Sequence, residues 1–292
     1  MQEALSDFGI AAPLMVVRGD GSLMQAEMAM ERPVETILSG PAASAVGASH
    51  LSNVDNAWAV DIGGTTTDIM TLENGRPRLS PQGARVGSWR TMVKAVDVRT
   101  IGLGGDSHVL IDGERRLQIG PRRVVPLSLL ALSYPSTLEE LHCQMEKQHV
   151  DRVAEFVLPS RLPLAPHIAD KVERDLLMAL KEGPRSWIWL EQKVARSYPL
   201  ERALQRLEAL GWVMRSGFTP TDALHVLGVF SPWSIEAAQA GACLLARLAG
   251  LEPEDFCRIV VEKVADRITS EILAKLLYDE EGIYPWPDGP GI

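Results

Sequence analysis

Residues 58–69 read WAVDIGGTTTDI, and no other stretch limits so strongly what the chain can fold into. A short apolar run (Trp58, Ala59, Val60) delivers Asp61. A glycine pair (Gly63, Gly64) and three threonines (Thr65, Thr66, Thr67) follow, and Asp68 opens a second β-prone run. The pattern predicts strand, tight turn, strand. Adjacent glycines leave no Cβ to block a left-handed backbone or the approach of an anion to the N–H groups. The threonine hydroxyls add donors, and the carboxylates of Asp61 and Asp68 suit a Mg²⁺ carried on phosphates or the positioning of a water. The same residues also make an ordinary hairpin whose Asp and Thr side chains satisfy turn amides. The neighbouring segments decide between the two.

Upstream, residues 1–12 read as the end of an amphipathic helix with Leu5, Phe8 and Ile10 on its apolar side, running through Pro13 into a strand at residues 14–17. The triplet Arg18-Gly19-Asp20 marks a turn, and we reject a cell-adhesion role for it because three-residue matches arise by chance. In ERPVETILSGPAASAVGASHLS the apolar run 34–38 stops at Ser39-Gly40-Pro41. Small residues follow, which predicts a helix able to pack close to a neighbour. Ser39 suits its N-cap region and Pro41 its first turn. With Gly40, Ser39 makes that helix start a candidate anion site, alongside plain tight packing.

Downstream, Asn74-Gly75 between residues 69–72 and 77–79 is a strong hairpin signal. After Asp97 a second glycine cluster appears at Gly102, Gly104 and Gly105, and then a further hairpin turning at Asp112-Gly113. Two glycine-rich turns in one small β-rich region favour a ligand-facing role over two unrelated loops.

A chain of 292 residues with 46% apolar and 23% charged content is an ordinary globular composition, long enough for about two domains. A net charge of −9 argues against a general nucleic-acid binder, yet leaves room for a nucleotide held by backbone donors and one metal. No apolar run reaches the length needed to cross a bilayer, and residues 1–10 lack a signal-peptide pattern, so a cytoplasmic location is expected. Cys143, Cys243 and Cys257 have unrelated spacings and read as reduced thiols.

From residue 125 the character becomes helical. A helix is expected from Ser136 to about residue 149, capped by Ser136 or Thr137. His142 and His149 share one of its faces without a third metal ligand nearby. A strand and loop over 156–163 and a helix from Pro166 to about Lys181 follow. Residues 186–228 hold two helical patterns around 197–199, then a short ribbon from 212–214 and 218–220, a winged-helix signature. The candidate reading helix carries Glu201, Arg202, Arg206 and Glu208, whose charges cancel, so intramolecular packing is favoured over DNA reading. Thr221-Asp222 caps a short helix, residues 234–248 and 254–277 read as long amphipathic helices, and residues 284–292 read as a frayed tail.

Taken in order, ERPVETILSGPAAS, DIGGTTTD and DVRTIGLGGDSHV…DGERRLQIGP resemble the hydantoinase/oxoprolinase family, specifically the second half of its ATP-dependent A-type subunit. The resemblance covers about residues 1–121. It implies an α/β fold: a ribonuclease-H-like lobe of the actin, Hsp70 and sugar-kinase ATPase type, followed by a mostly helical, winged-helix-like region. The expected divisions are 1–135 for the lobe, 136–185 a helical connector, 186–228 the winged-helix-like module, 229–280 a helical region and 281–292 the tail.

By resemblance, Asp61, Gly63, Gly64, Thr65, Thr66 and Asp68 correspond to the phosphate loop, with Asp61 and Asp68 catalytic and Asp61 also the metal ligand. Gly102, Gly104 and Gly105 stand on the nucleotide side, and Ser39 and Gly40 beside the phosphates. The implied cofactors are ATP and Mg²⁺, and the implied activity is ATP-dependent opening of a cyclic amide such as 5-oxoproline or a hydantoin. Two alternatives are a non-catalytic ATPase-like binding or regulatory protein and a subunit of an acetone-carboxylase-like enzyme. The family's first-lobe DxGGTxTD segment has no counterpart here, Asp106 stands where a glycine is usual, and residues 122–130 diverge. A partner chain supplying the first lobe or a B-type subunit, or upstream sequence carrying that lobe, is therefore expected, with no nucleic acid and no membrane partner.

Overall fold

The computed structural model describes residues 2–10, 12–86, 89–147, 152–161, 168 and 170–282. The chain divides into two compact units, the first of residues 1–101 with 269–292 and the second of residues 102–268.

The first unit begins with α1 (Gln2–Asp7), the hairpin β1 (Met15–Val17) and β2 (Leu23–Gln25), α2 (Ala26–Glu31) and a 3₁₀ turn, Pro33–Thr36. Then comes α3 (Ser39–Ser52). Its main sheet is built from β3 (Ala57–Ile62), β4 (Thr67–Glu73), β5 (Arg76–Pro77) and, after the small hairpin β6 (Arg85–Val86) and β7 (Trp89–Arg90), β8 (Val98–Ile101). Strand β4 lies between β3 on one side and β5 and β8 on the other, all antiparallel. Asn74 (φ 53°) and Gly75 (φ 72°) make the expected tight turn between β4 and β5, both in the left-handed region that this dipeptide tolerates.

Small residues let α3 lie close against this sheet. Ala42 and Ala45 are fully buried and pack with Ala59, Met70, Leu72 and Val96. Ser39 does not cap the helix as expected. It is the first helical residue, and the cap position belongs to Leu38, held in a left-handed conformation (φ 61°) without a side-chain cap. Pro41 sits in the first turn, where its missing N–H costs nothing.

The second unit opens with the hairpin β9 (Ser107–Ile111) and β10 (Leu117–Arg123). Its turn closes differently from expectation. The Asp112 carboxylate accepts from the N–H groups of Glu114 and Arg116, and the left-handed residue is Arg115 (φ 61°), not Gly113. There follow β11 (Val125–Pro126), α4 (Leu127–Ser133), α5 (Ser136–Met145), β12 (Phe156–Pro159), α6 (Lys171–Ala179), β13 (Arg185–Ser186), α7 (Trp187–Lys193), α8 (Ser197–Ala209) and β14 (Val213–Gly217). The last helices are α9 (Pro220–Val226), α10 (Ile235–Ala249) and α11 (Pro253–Glu281).

Two cores serve this unit. One gathers Leu127, Leu130, Leu141, Phe156, Phe218, Leu244 and Phe256, and the other Leu176, Leu180, Trp187, Leu190, Leu200, Leu204 and Leu207. The helix pair expected near residues 187–210 is present as α7 and α8, but the ribbon expected from 212–214 and 218–220 is not. Strand β14 pairs with β12 and β11, and residues after Gly217 turn into α9. Helix α6 starts at Lys171, where the Asp170 carboxylate accepts from the Glu173 N–H. Helix α5 ends at Met145, and its first turn has no side-chain cap. Residues 149, 166 and 284–292 lie outside the described residues, and with them the expected His149 position and the expected frayed tail. Among the described residues no helix is long and apolar enough to cross a membrane.

Candidate functional site

The register of β3 and β4 places Asp61 directly opposite Asp68, and that of β4 and β8 places Asp68 opposite Thr100. Because side chains alternate along a strand, the three residues form one row on the same face of the sheet. Ala59 and Met70 belong to that face and pack with Ala42 and Ala45, so it is the face that α3 covers. From α3, Ser44 Oγ donates to Asp61 Oδ2 at 2.6 Å. From β8, Thr100 Oγ1 donates to Asp68 Oδ1 at 2.5 Å, while Thr66 Oγ1 stands 3.4 Å from Asp68 Oδ2.

Burial raises the Asp68 pKa above the ordinary carboxylate value, and the negative charge of Asp61 raises it further, against the lowering effect of the Thr100 and Thr66 hydroxyls.

Gly63, Gly64, Thr65 and Thr66 join the two strands, and the Gly63 N–H donates to the Thr66 carbonyl at 2.9 Å. Neither Gly63 nor Gly64 has a positive φ, so left-handed backbone is not what places glycine here. A Cβ on Gly63 would stand 3.2 Å from the Thr66 oxygen, a close approach that explains that glycine instead. Thr65 is exposed and Thr67 fully buried, so the two alternate between solvent and core.

Ser39 and Gly40 form the first turn of the helix that delivers Ser44. A Cβ on Gly40 would meet nothing within 4 Å, so packing does not demand glycine there.

The second glycine cluster belongs to the other unit, and its own bonds are internal. The Gly104 N–H donates to Ser107 Oγ at 2.9 Å, and the Gly105 carbonyl accepts from the Thr221 hydroxyl at 2.7 Å and from the Thr221 N–H at 3.0 Å. A Cβ on Gly105 would stand 2.7 Å from Thr221 Oγ1, so glycine at 105 answers to the start of α9. A Cβ on Gly102 would meet Pro121 at 3.4 Å, an ordinary contact. Asp106 pairs with Arg123 at 3.0 Å.

Sequence reasoning therefore assembled the hairpin residues and missed Ser44 and Thr100. Ser44 ends the SGPAAS motif, but only the fold shows that it faces Asp61. The signal for Thr100 was its place in a strand of even spacing, which became legible once the register to Asp68 was fixed. Among the described residues no group of three or more His, Cys, Asp or Glu side chains gathers as a metal cage.

This α/β fold has a counterpart in a known protein. The chain belongs to the hydantoinase/oxoprolinase family, whose model matches residues 1–276. It is 32% identical over 119 residues to the caprolactamase subunit alpha of Pseudomonas jessenii, which covers 40% of this chain and 17% of that protein. An uncharacterized protein of Methanocaldococcus jannaschii is 27% identical over 133 residues, covering 41% of this chain and 20% of that one. The chain thus matches a fifth or less of the length of these relatives. Acetone carboxylase, in a nucleotide-free structure from work on ATP-dependent acetone carboxylation, aligns with a TM-score of 0.60 at 14% identity. The alignment covers 96% of this chain and 30% of that one, and it shows the fold.

Proposed function

We propose that this chain supplies one phosphate-binding lobe of an ATP-dependent amidohydrolase that opens a cyclic amide such as 5-oxoproline, a hydantoin or a lactam. The observation that carries the reading is the Asp61–Asp68–Thr100 row beside the Gly63-Gly64-Thr65-Thr66 turn, in a chain of this family. A relative named as a caprolactamase subunit supports the choice of a lactam-like ring and of a multi-subunit assembly.

The residues fit a hydrated Mg²⁺. That ion takes one or two carboxylates with phosphate and water oxygens rather than a cage of protein ligands, and two half-buried carboxylates face each other here at the end of a glycine turn. When bound, the magnesium nucleotide supplies a phosphoryl group that makes the ring carbonyl carbon electrophilic to water.

In this reading Asp61 holds the cation and Asp68 orients or accepts a proton from the attacking water. The N–H groups and hydroxyls of Gly63, Gly64, Thr65 and Thr66 hold phosphate oxygens, and Ser39 and Gly40 add the N-terminal end of α3. Gly102, Gly104 and Gly105 act on the nucleotide side by shaping their turn, since the Gly104 N–H and the Gly105 carbonyl are already engaged. A first lobe, from a partner chain or from further sequence of the same protein, or a B-type subunit completes the site. A carboxylase-type subunit is the second reading, favoured by the fold shared with acetone carboxylase.

Co-expression with a polypeptide carrying a DxGGTxTD lobe, followed by an ADP-release assay, tests the reading. We expect release that depends on 5-oxoproline, hydantoin or caprolactam. Release that requires acetone with bicarbonate instead would transfer the assignment to the second reading, and no substrate-dependent release from any of them would overturn both.

A further inference from the structure

We infer that Thr100 and Ser44 are positioning residues for the carboxylate pair: each hydroxyl occupies one oxygen of one aspartate, and the pair presents its remaining oxygens to a shared hydrated divalent cation. The inference deepens the site proposed above and rests on that reading for the identity of the cation's companion, a nucleotide phosphate.

The geometry points to it in three ways. Each hydroxyl has a single proton to give, and each gives it to a carboxylate: Thr100 Oγ1 to Asp68 Oδ1 at 2.5 Å and Ser44 Oγ to Asp61 Oδ2 at 2.6 Å. An ionised carboxylate has about four lone-pair sites, so one such bond fixes its plane and leaves capacity for a metal. Oδ1 of Asp61 then has no protein donor among the described residues, and Oδ2 of Asp68 has only the long contact from Thr66 at 3.4 Å.

Moreover, the two hydroxyls come from separate elements, α3 and β8, which both pack on the strands that carry the aspartates. Neither hydroxyl belongs to the turn of the hairpin, so the carboxylates are oriented from outside the turn that would meet a phosphate.

The charged surroundings are simple. Asp61 is the ionisable group that acts on Asp68. Arg99, next to Thr100 in β8, lies on the opposite face by alternation and pairs there with Glu271 of α11. Helix α3 brings His50 in its last turn as its titratable side chain, six residues beyond Ser44.

The test uses the full chain and Mn²⁺ as the probe, with Mn²⁺ affinity read by electron paramagnetic resonance in the wild type, T100V, T100S and S44A. Loss of the Thr100 hydroxyl frees the Asp68 carboxylate to turn. We expect Mn²⁺ affinity to fall by about tenfold in T100V and T100S to restore it. S44A is expected to lower Mn²⁺ affinity to a similar degree.

A merely structural role for the hydroxyls would lower the melting temperature while leaving the Mn²⁺ affinity of the folded variants unchanged, and that result would overturn the inference. So would a wild type that binds no Mn²⁺. Should valine upset the sheet, T100A carries the same contrast. Normal positioning effects in a protein whose assembled form binds no nucleotide would leave this inference standing and remove the ATP reading instead.

Discussion

Asp222 shows how much one buried side chain fixes in this molecule. Its carboxylate is fully buried and accepts from the N–H groups of Leu127 and Ser128 at the start of α4, from the Ser128 hydroxyl, and from Thr219 in the capping box of α9. One acid thus closes two helix starts that are distant in sequence. His108 is the opposite case, a buried base with charge around it but not on it. Burial first, and then the nearby Arg122, Arg152 and Arg215, push its pKa down to about 4, with Glu155 opposing. Its imidazole packs so closely on β14 that a Cβ on Gly217 would stand 2.5 Å from Nε2.

The neutral form of His108 belongs to the folded state, so the unfolded chain takes up a proton first as pH falls. Stability is intact above the ordinary histidine value and is lost between about pH 6.5 and about pH 4. The contribution lost is on the order of 3 kcal/mol, so H108Q should show a shallower decline in denaturant midpoint from pH 7 to pH 4 than the wild type. Parallel declines in the two proteins would assign the acid sensitivity elsewhere. Of these residues, the sequence showed that Asp222 belonged near a helix start, because Thr and Asp signal caps. The true cap is Thr219 rather than Thr221, and the second helix that Asp222 closes lies about ninety positions away, where no local pattern reaches.

At the scale of elements, an ionic cluster inside the first unit ties the last turns of α11 to β4 and to the segment between β5 and β8. Lys275 Nζ lies 2.9 Å from Asp97 and 2.7 Å from Asp279. Arg78 joins both aspartates, the Thr71 hydroxyl donates to Asp279 at 2.6 Å, and Arg99 pairs with Glu271. Lys275 is only 2% exposed in its side chain, so removing its charge leaves two carboxylates sharing Arg78. K275M should cost about 3 kcal/mol and speed amide exchange in residues 269–281 and in β4. Unchanged protection in those segments would show that the cluster adds nothing.

Elements with strong local signals were legible in the sequence. The Asn74-Gly75 turn and the helices around residues 235–249 and 253–281 formed as their punctuation and periodicity demand. Elements set by distant pairing were not. Strand β14 is short and, with Val213 and Met214 leading it, looked like half of a ribbon, yet its partners β11 and β12 come from about 50 to 90 positions earlier. Such pairings depend on burial that a local window does not contain.

For the molecule as a whole, three motifs in order sufficed to place the chain in its family, and the shared fold with acetone carboxylase extends over nearly all of it. What local reading supplied for the site was the set of hairpin residues. What it lacked was the row across three strands, because register joins Asp61, Asp68 and Thr100 only after folding. In the proposed reading nucleotide is held between this lobe and another, so the chain tested alone should bind Mg-ATP weakly or not at all. Isothermal titration of Mg-ATP into the chain co-expressed with a first lobe is the most direct test of the central claim, that the residue 61–68 hairpin is a phosphate site. The account predicts binding by the assembled wild type and its loss in Asp61→Ala with the assembly intact; an unchanged affinity in that variant would contradict it.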